Sequence, residues 1–222
     1  MLSEFHESLC RAPLVPTVFP RDVEALCHFA RVLSEESYPA MEILARPLDA
    51  SLEVFREICR RPERRLIRWG IGTIKTATSA RAVLELRPDF LVSPAFSSRV
   101  LKECASAGIP YIPGVQTFQD VQDVLDAFDD LGLEVHVLKL CPIYGLSADY
   151  VQSLSNCFPD IAFCPTGEIT LDNYSHWKQM PSIVAPMGSR LVPPAMLDSH
   201  DFAAIRQRLR QLRQLTDEDK SG

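Results

Sequence analysis

The chain has 222 residues, of which 46% are hydrophobic and 23% charged, and these ordinary globular values exclude a disordered, collagen-like or coiled-coil protein. The formal net charge of −6 and the pI near 5.4 argue against nucleic-acid binding driven by general electrostatics. The chain has no apolar run of ~18 residues, no Lys or Arg before Arg11 and no CxxC pair among seven cysteines, so we expect a cytoplasmic protein without a membrane span, secretory signal or zinc site.

Short apolar runs alternate with amphipathic stretches along the whole sequence. The apolar runs predict strands at Leu14–Phe19, Met41–Ala45, Leu66–Ile71, Asp89–Ser93, Pro110–Ile112, Leu133–Cys141, Ile161–Cys164 and Ile183–Pro186. The amphipathic stretches predict helices at Arg21–Leu33, Ala50–Cys59, Thr76–Leu86, Ser97–Ala107 (ending at Gly108), Thr117–Leu131, Ser147–Cys157, Leu171–Trp177 and His200–Leu215.

This alternation predicts an α/β fold of parallel βα units. With a period of roughly 22–28 residues, eight units fill about 200 residues, which suits a single (β/α)8 TIM-type barrel over residues 1–215. The polar residues 216–222 are expected to form a disordered tail. A doubly wound open sheet is the structural alternative, although no GxGxxG motif follows the first strand.

One lysine stands out because it lies inside an apolar strand. Alternation places Lys139 on the same strand face as Val135, Val137 and Cys141, and in a barrel one such face points into the interior. A buried ammonium is costly, so this lysine is either a nucleophile that attacks a ketone to form a Schiff base, or a structural group that pairs with a carboxylate or reaches the strand end. Its position near the carboxyl end of the strand favours the nucleophile, because barrel active sites lie at that end.

Other strand ends carry groups that could work with this lysine. Glu42 lies in the second strand and could move protons, and Arg46 at its exit could bind a substrate carboxylate. Turn-forming residues follow further strands in the segments Gly70–Thr73, Ser93-Pro94, Pro165–Gly167 and Gly188-Ser189. Each turn alone is common, and their placement after successive strands predicts a shared mouth.

These segments together resemble the family of 2-keto-3-deoxy-6-phosphogluconate (KDPG) and 4-hydroxy-2-oxoglutarate (KHG) aldolases. The resemblance covers residues from about 10 to 213. The segments that carry it are MEILAR (41–46), GIGT (70–73), FLVSP (90–94), IPYIPG (109–114), KLCP (139–142), FCPTG (163–167) and GSRLVP (188–193).

The resemblance implies a homotrimer of TIM-type barrels that act as class I aldolases, which are carbon–carbon lyases needing no metal or other cofactor. It implies that Lys139 is the Schiff-base lysine and Glu42 the acid/base, and that Arg46 and Thr73 hold the pyruvyl carboxylate. It further implies pocket walls at Pro94 and Cys141. The far end of the keto-acid substrate is expected to lie at Thr166, Gly167, Glu168, Gly188 and Ser189.

Several positions depart from the pattern that the family usually shows. Glu168 stands where a second glycine is usual, Met187 precedes Gly188 where the family has another glycine, Arg190 replaces an aromatic residue, and Pro47 replaces a polar residue. A carboxylate at position 168 repels a phosphate dianion. The pyruvate half of the site therefore matches the family, while the phosphate half differs.

Three functions stay open at this point. The first is a class I aldolase that cleaves a 2-keto-4-hydroxy acid to pyruvate and an aldehyde. The second is a non-catalytic or altered-specificity barrel that binds a keto acid, suggested by the changed glycines. The third is a metal-dependent pyruvate aldolase, for which the sequence offers no cluster of His and Asp ligands.

Overall fold

A computed structural model describes residues 2–180 and 182–218, and it confirms an α/β fold with parallel strands. The strands are β1 (Val15–Val18), β2 (Ala40–Leu44), β3 (Arg68–Gly72), β4 (Phe90–Val92), β5 (Tyr111–Ile112), β6 (Gly114–Val115), β7 (Val137–Leu140), β8 (Ala162–Pro165) and β9 (Met187–Gly188). The helices are α1 (Leu2–Arg11), α2 (Val23–Glu35), α3 (Leu48–Ile58), α4 (Ala77–Leu84), α5 (Ser98–Ala107), α6 (Phe118–Asp129), α7 (Ala148–Cys157), α8 (Leu171–Lys178), α9 (Pro194–Asp198) and α10 (Phe202–Glu218), and a 3-10 turn spans Pro62–Arg65.

The strands form two curled parallel sheets. The larger sheet has the order β5-β4-β3-β2-β1-β9, and the smaller has the order β6-β7-β8. Pro113 alone separates β5 from β6, and its carbonyl oxygen accepts a hydrogen bond of 2.9 Å from the backbone amide of Lys139. Isolated parallel bridges join Phe163 to Ile183 and Thr166 to Met187, so β8 lies beside the chain segment that ends in β9.

Alternating strand residues contribute to two separate hydrophobic layers. One layer packs the strands against the helices and includes Trp69 and Phe163, which are fully buried. The other layer lies on the concave face of the sheets and includes Phe90, Val137 and Cys164. A parallel sheet that is covered on both faces in this way explains why its strands are mostly apolar, with buried polar exceptions such as Glu42 and Lys139.

Helix α1, which the sequence patterns do not predict, packs against the concave layer. Its Phe5 and Leu9 are buried in that layer, and the ring of Phe5 lies 5.0 Å from the ring of Phe90 between centroids. Phe90 begins β4, so α1 covers the edge at which the strands start. The edge at which the strands end is the one that carries the predicted site.

Helix boundaries follow the capping chemistry of the sequence. The N-caps of α4, α5 and α6 are Thr76, Ser97 and Thr117, whose side chains accept hydrogen bonds from the first turn of each helix. The predicted end of α5 at Gly108 is confirmed, because this glycine adopts the left-handed conformation with φ of 67°.

Two predicted boundaries are wrong. Of the strand predicted at Ile183–Pro186, only Ile183 forms a bridge to β8, and the strand itself lies later, at Met187–Gly188, where the register pairs Met187 with Val15. The strand predicted at Leu133–Cys141 is limited to β7, which starts at Val137.

The polar tail predicted from Thr216 also begins too early. Helix α10 continues through Glu218, and Thr216 is buried with its hydroxyl 2.7 Å from the Tyr174 hydroxyl. The helix continues because Thr216 faces α8, where Tyr174 satisfies its hydroxyl. The remaining predicted tail, residues 219–222, lies outside the described residues. Among the helices described, none has both the length and the apolar character needed to cross a bilayer.

We expect Tyr174→Phe to lower the free energy of unfolding by about 1–3 kcal/mol, because the buried Pro13 carbonyl oxygen and Thr216 hydroxyl each lose a hydrogen-bond partner. The Tyr174 hydroxyl donates a 2.8 Å hydrogen bond to the carbonyl oxygen of Pro13 and contacts Thr216, thereby linking α8 to both termini of the described chain. Urea unfolding measures the effect. Tyr144→Phe, which alters a ring that is 59% exposed, is the matched control and should leave the unfolding free energy unchanged.

Candidate active site

Lys139 and Glu42 meet on the concave face of the sheets. Lys139 is on β7, one residue before its end, and Glu42 is in the middle of β2. The Lys139 Nζ atom lies 3.8 Å from Glu42 Oε1. The two residues are 5% and 0% exposed, so the charged groups are held together in an interior with little access to water. The structure therefore brings together the two residues that were predicted to do the chemistry.

The Glu42 carboxyl group has an unusual environment. Neither of its oxygens has a hydrogen-bond partner among the described residues, although both are buried. Burial raises the pKa of Glu42 above that of an ordinary glutamate, and the nearby charges of Lys139 and Arg46 only partly oppose this shift. A raised pKa makes the protonated form of this carboxyl group more accessible than that of an ordinary glutamate, which suits a general acid/base.

Space for the Glu42 carboxyl group comes from a glycine on the neighbouring strand. A Cβ atom added to Gly72 would overlap Glu42 Oε1, so no side chain fits at the end of β3. The sequence alone indicates only turn chemistry in the Gly70–Thr73 segment and does not reveal this close approach. The alternation in the GIGT segment could have indicated it, because Gly70 and Gly72 lie on the same face of the sheet as Glu42 on the neighbouring strand β2.

Arg46 and Thr73 emerge at the ends of the adjacent strands β2 and β3. The Arg46 guanidinium lies 5.6 Å from the centre of the Phe19 ring, and in the described part of the chain no carboxylate pairs with it. Thr73 has a φ of 66°, a strained conformation for a β-branched residue that costs on the order of 1–3 kcal/mol. An available cation and a strained hydroxyl residue thus stand beside Glu42 at the open edge.

Pro94 and Cys141 line a neighbouring cavity of about 300 Å³, together with Gly114. Lys139 and Glu42 are not among the residues that line this cavity. Burial raises the pKa of the Cys141 thiol, an effect that the positive charge of Lys139 partly opposes. The two predicted wall residues are therefore neighbours of the lysine strand, and Cys141 is not favoured as a thiolate.

The residues predicted for the far end of the substrate also come together. Thr166, Gly167 and Glu168 follow β8, while Gly188 ends β9 and Ser189 follows it. The bridge between Thr166 and Met187 aligns these two strand ends. Gly167 and Glu168 both have positive φ, of 96° and 49° respectively, so the chain turns sharply away from β8.

Thr17 is a buried polar residue that the sequence patterns do not single out. It lies on β1 directly opposite Glu42 in the strand register and is almost fully buried. The alternation in the segment Val15–Val18 places Thr17 on the same face as Val15, which belongs to the concave layer, and could have predicted that Thr17 faces the site. The described residues contain no cluster of three or more His, Cys, Asp or Glu side chains that could hold a metal ion.

The raised pKa of Glu42 predicts a pH-dependent stability. The folded protein keeps this proton to a higher pH than the unfolded chain, whose glutamate pKa is about 4.3. The resulting stability is fully present below the unfolded pKa and is lost as the pH rises through the folded pKa, by about 1.4 kcal/mol for each pH unit that separates the two pKa values. Because Glu42→Gln cannot ionise, its unfolding free energy should rise relative to that of the wild type as the pH increases above the unfolded glutamate pKa.

Urea unfolding at several pH values measures this difference. Glu53→Gln, which alters an exposed glutamate on α3, is the control and should track the wild type at every pH. A Glu42→Gln difference that stays constant with pH would show that Glu42 titrates alike in both states.

The chain is similar to known aldolases over nearly its whole length. The family model for KDPG and KHG aldolase matches residues 5–208. A 2-dehydro-3-deoxy-phosphogluconate aldolase of Treponema pallidum is 29% identical over 202 residues, which are 90% of this chain and 91% of the relative. The KHG/KDPG aldolase of Escherichia coli K12 is 25% identical over 207 residues, or 91% and 92% of the two chains.

Solved structures show the same likeness. A 4-hydroxy-2-oxoglutarate/2-dehydro-3-deoxyphosphogluconate aldolase from TTHB1 is 30% identical with a TM-score of 0.81, and the match covers 95% of this chain and 98% of that one. The KDPG aldolase of Legionella pneumophila, solved with pyruvate captured as a covalent carbinolamine, is 22% identical with a TM-score of 0.80 and coverage of 93% and 97%. Because the family model spans nearly the whole sequence, this chain belongs to the KDPG and KHG aldolase family.

Proposed function

We propose that the protein is a class I aldolase that cleaves a 2-keto-4-hydroxy acid, of the KDPG or KHG type, to pyruvate and an aldehyde. The observation that carries this proposal is the buried pair of Lys139 and Glu42, whose reactive atoms are 3.8 Å apart on the concave face of the sheets. An amine and a carboxyl group at this distance supply the nucleophile and the acid/base that Schiff-base chemistry needs.

The first half of the reaction forms the covalent intermediate. Arg46 and Thr73 bind the C1 carboxylate, so that the C2 carbonyl faces Lys139. The neutral amine attacks C2 to give a carbinolamine, and loss of water leaves an iminium ion. The carbinolamine seen in the Legionella pneumophila enzyme corresponds to the first covalent intermediate of these reaction steps. Pro94 and Cys141 serve as uncharged walls beside the intermediate.

The second half breaks the carbon–carbon bond. Glu42 removes the proton of the C4 hydroxyl group, the C4 oxygen becomes the aldehyde carbonyl, and the electron pair of the C3–C4 bond moves into the C2–C3 bond to form an enamine. Glu42 then returns the proton to C3, and water hydrolyses the pyruvate iminium to release pyruvate and the amine of Lys139. The raised pKa of Glu42 suits a group that both takes and gives this proton.

The strand arrangement supports a closed (β/α)8 barrel as the scaffold of this chemistry. Counting β5 and β6 as one strand interrupted at Pro113 leaves eight strands, and the bridges at Phe163 and Thr166 place β8 beside the segment that precedes β9. This barrel, as a single domain, extends beyond the predicted limit at residue 215 to include the whole of α10. The homotrimer stays a prediction that rests on family resemblance, and the cytoplasmic location stays a prediction from the sequence.

Reduction with borohydride in the presence of pyruvate tests the Schiff base directly. We expect a stable adduct on Lys139, located by mass spectrometry of peptides, because borohydride reduces the iminium to an amine. Lys139→Ala should form no adduct and lose retro-aldol activity, whereas Lys75→Ala, which removes an exposed lysine, should behave as the wild type does.

The same measurement separates catalysis from mere binding. Saturable binding of pyruvate without an adduct, and without cleavage of either substrate type, would indicate a keto-acid-binding barrel instead. An adduct on a lysine other than Lys139 would contradict the assigned nucleophile.

Gly72→Ala should reduce kcat for retro-aldol cleavage by about 10²-fold or more, within the range that positioned acid/base groups contribute. The new methyl group would occupy the place of Glu42 Oε1 and force the carboxyl group away. Trapping of pyruvate on Lys139 should persist, because the amine itself is not displaced. Circular dichroism establishes that the variant is folded, and an unchanged kcat in a folded variant would contradict the role given to Glu42.

A further inference from the structure

An ion pair joins the segments that follow β8 and β9. Arg190 Nη2 lies 2.6 Å from Glu168 Oε1, and both side chains are about half exposed. Glu168 follows β8 and Arg190 follows β9, and the bridge between Thr166 and Met187 holds these ends together. The pair therefore belongs to the open edge, where substrate enters.

In the strand order this pair lies on the other side of β1 from Arg46 and Thr73. Those two residues follow β2 and β3, and β1 separates β2 from β9 in the sheet. Lys139 is on β7, which pairs with β8. A substrate with its C1 carboxylate at β2 and β3 and its C2 atom at Lys139 would thus direct C4 and the carbons beyond it toward β8 and β9.

Glu168 is held in a backbone conformation that does not favour it. Its φ of 49° is in the left-handed region, which glycine adopts most readily and which a glutamate adopts only at a cost. The amide group of Asn173 donates a 2.9 Å hydrogen bond to the Glu168 carbonyl oxygen and fixes this turn. Residues in strained conformations cluster at functional sites, which makes Glu168 a candidate functional residue.

We propose that Glu168, paired with Arg190, is a specificity residue that selects substrates whose far end is uncharged and hydroxylated over substrates that carry a phosphate there. This inference rests on the proposed aldolase function and names the substrate class of that same site.

The charges at the two ends of the pocket support this selectivity. Arg46 has no carboxylate partner in the described chain and is available to an anion, whereas the positive charge of Arg190 is already matched by Glu168. A phosphate dianion would have to compete with the Glu168 carboxylate for Arg190 and would be repelled by it. A hydroxyl group can donate to Glu168 and accept from Arg190 at once, leaving the pair intact.

The neighbouring wall is also uncharged. The ring of Tyr144 packs at Gly167, where an added Cβ would lie 3.3 Å from the ring, and the tyrosine is largely exposed at the mouth. The tyrosine therefore adds an apolar surface and no cation beside Gly167.

Steady-state kinetics of two cleavage substrates test the proposal. The probes are 2-keto-3-deoxy-6-phosphogluconate and its unphosphorylated analogue, compared by kcat/KM. The wild type should prefer the unphosphorylated substrate. Glu168→Gln keeps the size of the side chain and removes its charge, so the ratio of phosphorylated to unphosphorylated kcat/KM should rise about tenfold or more.

Two further variants control the result. Arg190→Gln should lower that ratio, because it removes the only cation of the pair, and Glu53→Gln on α3 should leave it unchanged. A wild-type preference for the phosphorylated substrate of more than tenfold overturns the proposal. A ratio that changes less than threefold in Glu168→Gln also overturns it.

Failure of this inference can be told apart from failure of the aldolase function. If wild-type Lys139 forms the pyruvate adduct but Glu168→Gln does not alter the ratio, only the specificity role is wrong. If no adduct forms and neither substrate is cleaved, both the specificity role and the aldolase function are wrong.

Discussion

The burial of an amine and a carboxyl group in contact with each other is the constraint on which the rest of the structure depends. Lys139 and Glu42 are removed from water, and isolated charges in such an interior would be costly unless they are paired or neutralised. Burial raises the pKa of Glu42, and the nearby charges of Lys139 and Arg46 only partly oppose this shift. Gly72 contributes by leaving room, and the apolar concave layer by excluding competing partners.

The open edge has a different electrostatic character on its two sides. Arg46 on one side is a cation that no described carboxylate neutralises, and the Glu168–Arg190 pair on the other side carries no net charge. The reacting atoms lie between these sides. In the substrate orientation that we propose, the chemistry of the keto acid stays at one end, and the loops after β8 and β9 act on a part of the substrate that takes no part in bond cleavage.

Much of the fold could be predicted because the sequence carries local signals for it. Apolar runs identify the strands, and the Ser, Thr and Gly residues at helix ends identify most boundaries. The signal fails where long-range contacts decide. Thr216 is polar, yet the Tyr174 hydroxyl on another helix makes its burial favourable. Helix α1 is not predicted because the contact of its Phe5 with Phe90 joins residues far apart in the sequence. The Lys139–Glu42 pair could be proposed from strand alternation. The close approach of the Glu42 carboxyl group to Gly72 depends on strand register, which one sequence does not specify.

Helix α1 affects how substrate and product reach and leave the buried lysine. Its Phe5 and Leu9 are buried in the concave layer and cover, within the described residues, the edge at which the strands begin. In the reaction that we propose, substrate and product therefore both use the edge at which the strands end. An incoming keto acid must therefore wait until pyruvate has left, and accumulated pyruvate will compete with fresh substrate for the same amine. Water too arrives from one direction, and an enamine formed there is shielded on the side that faces the helix.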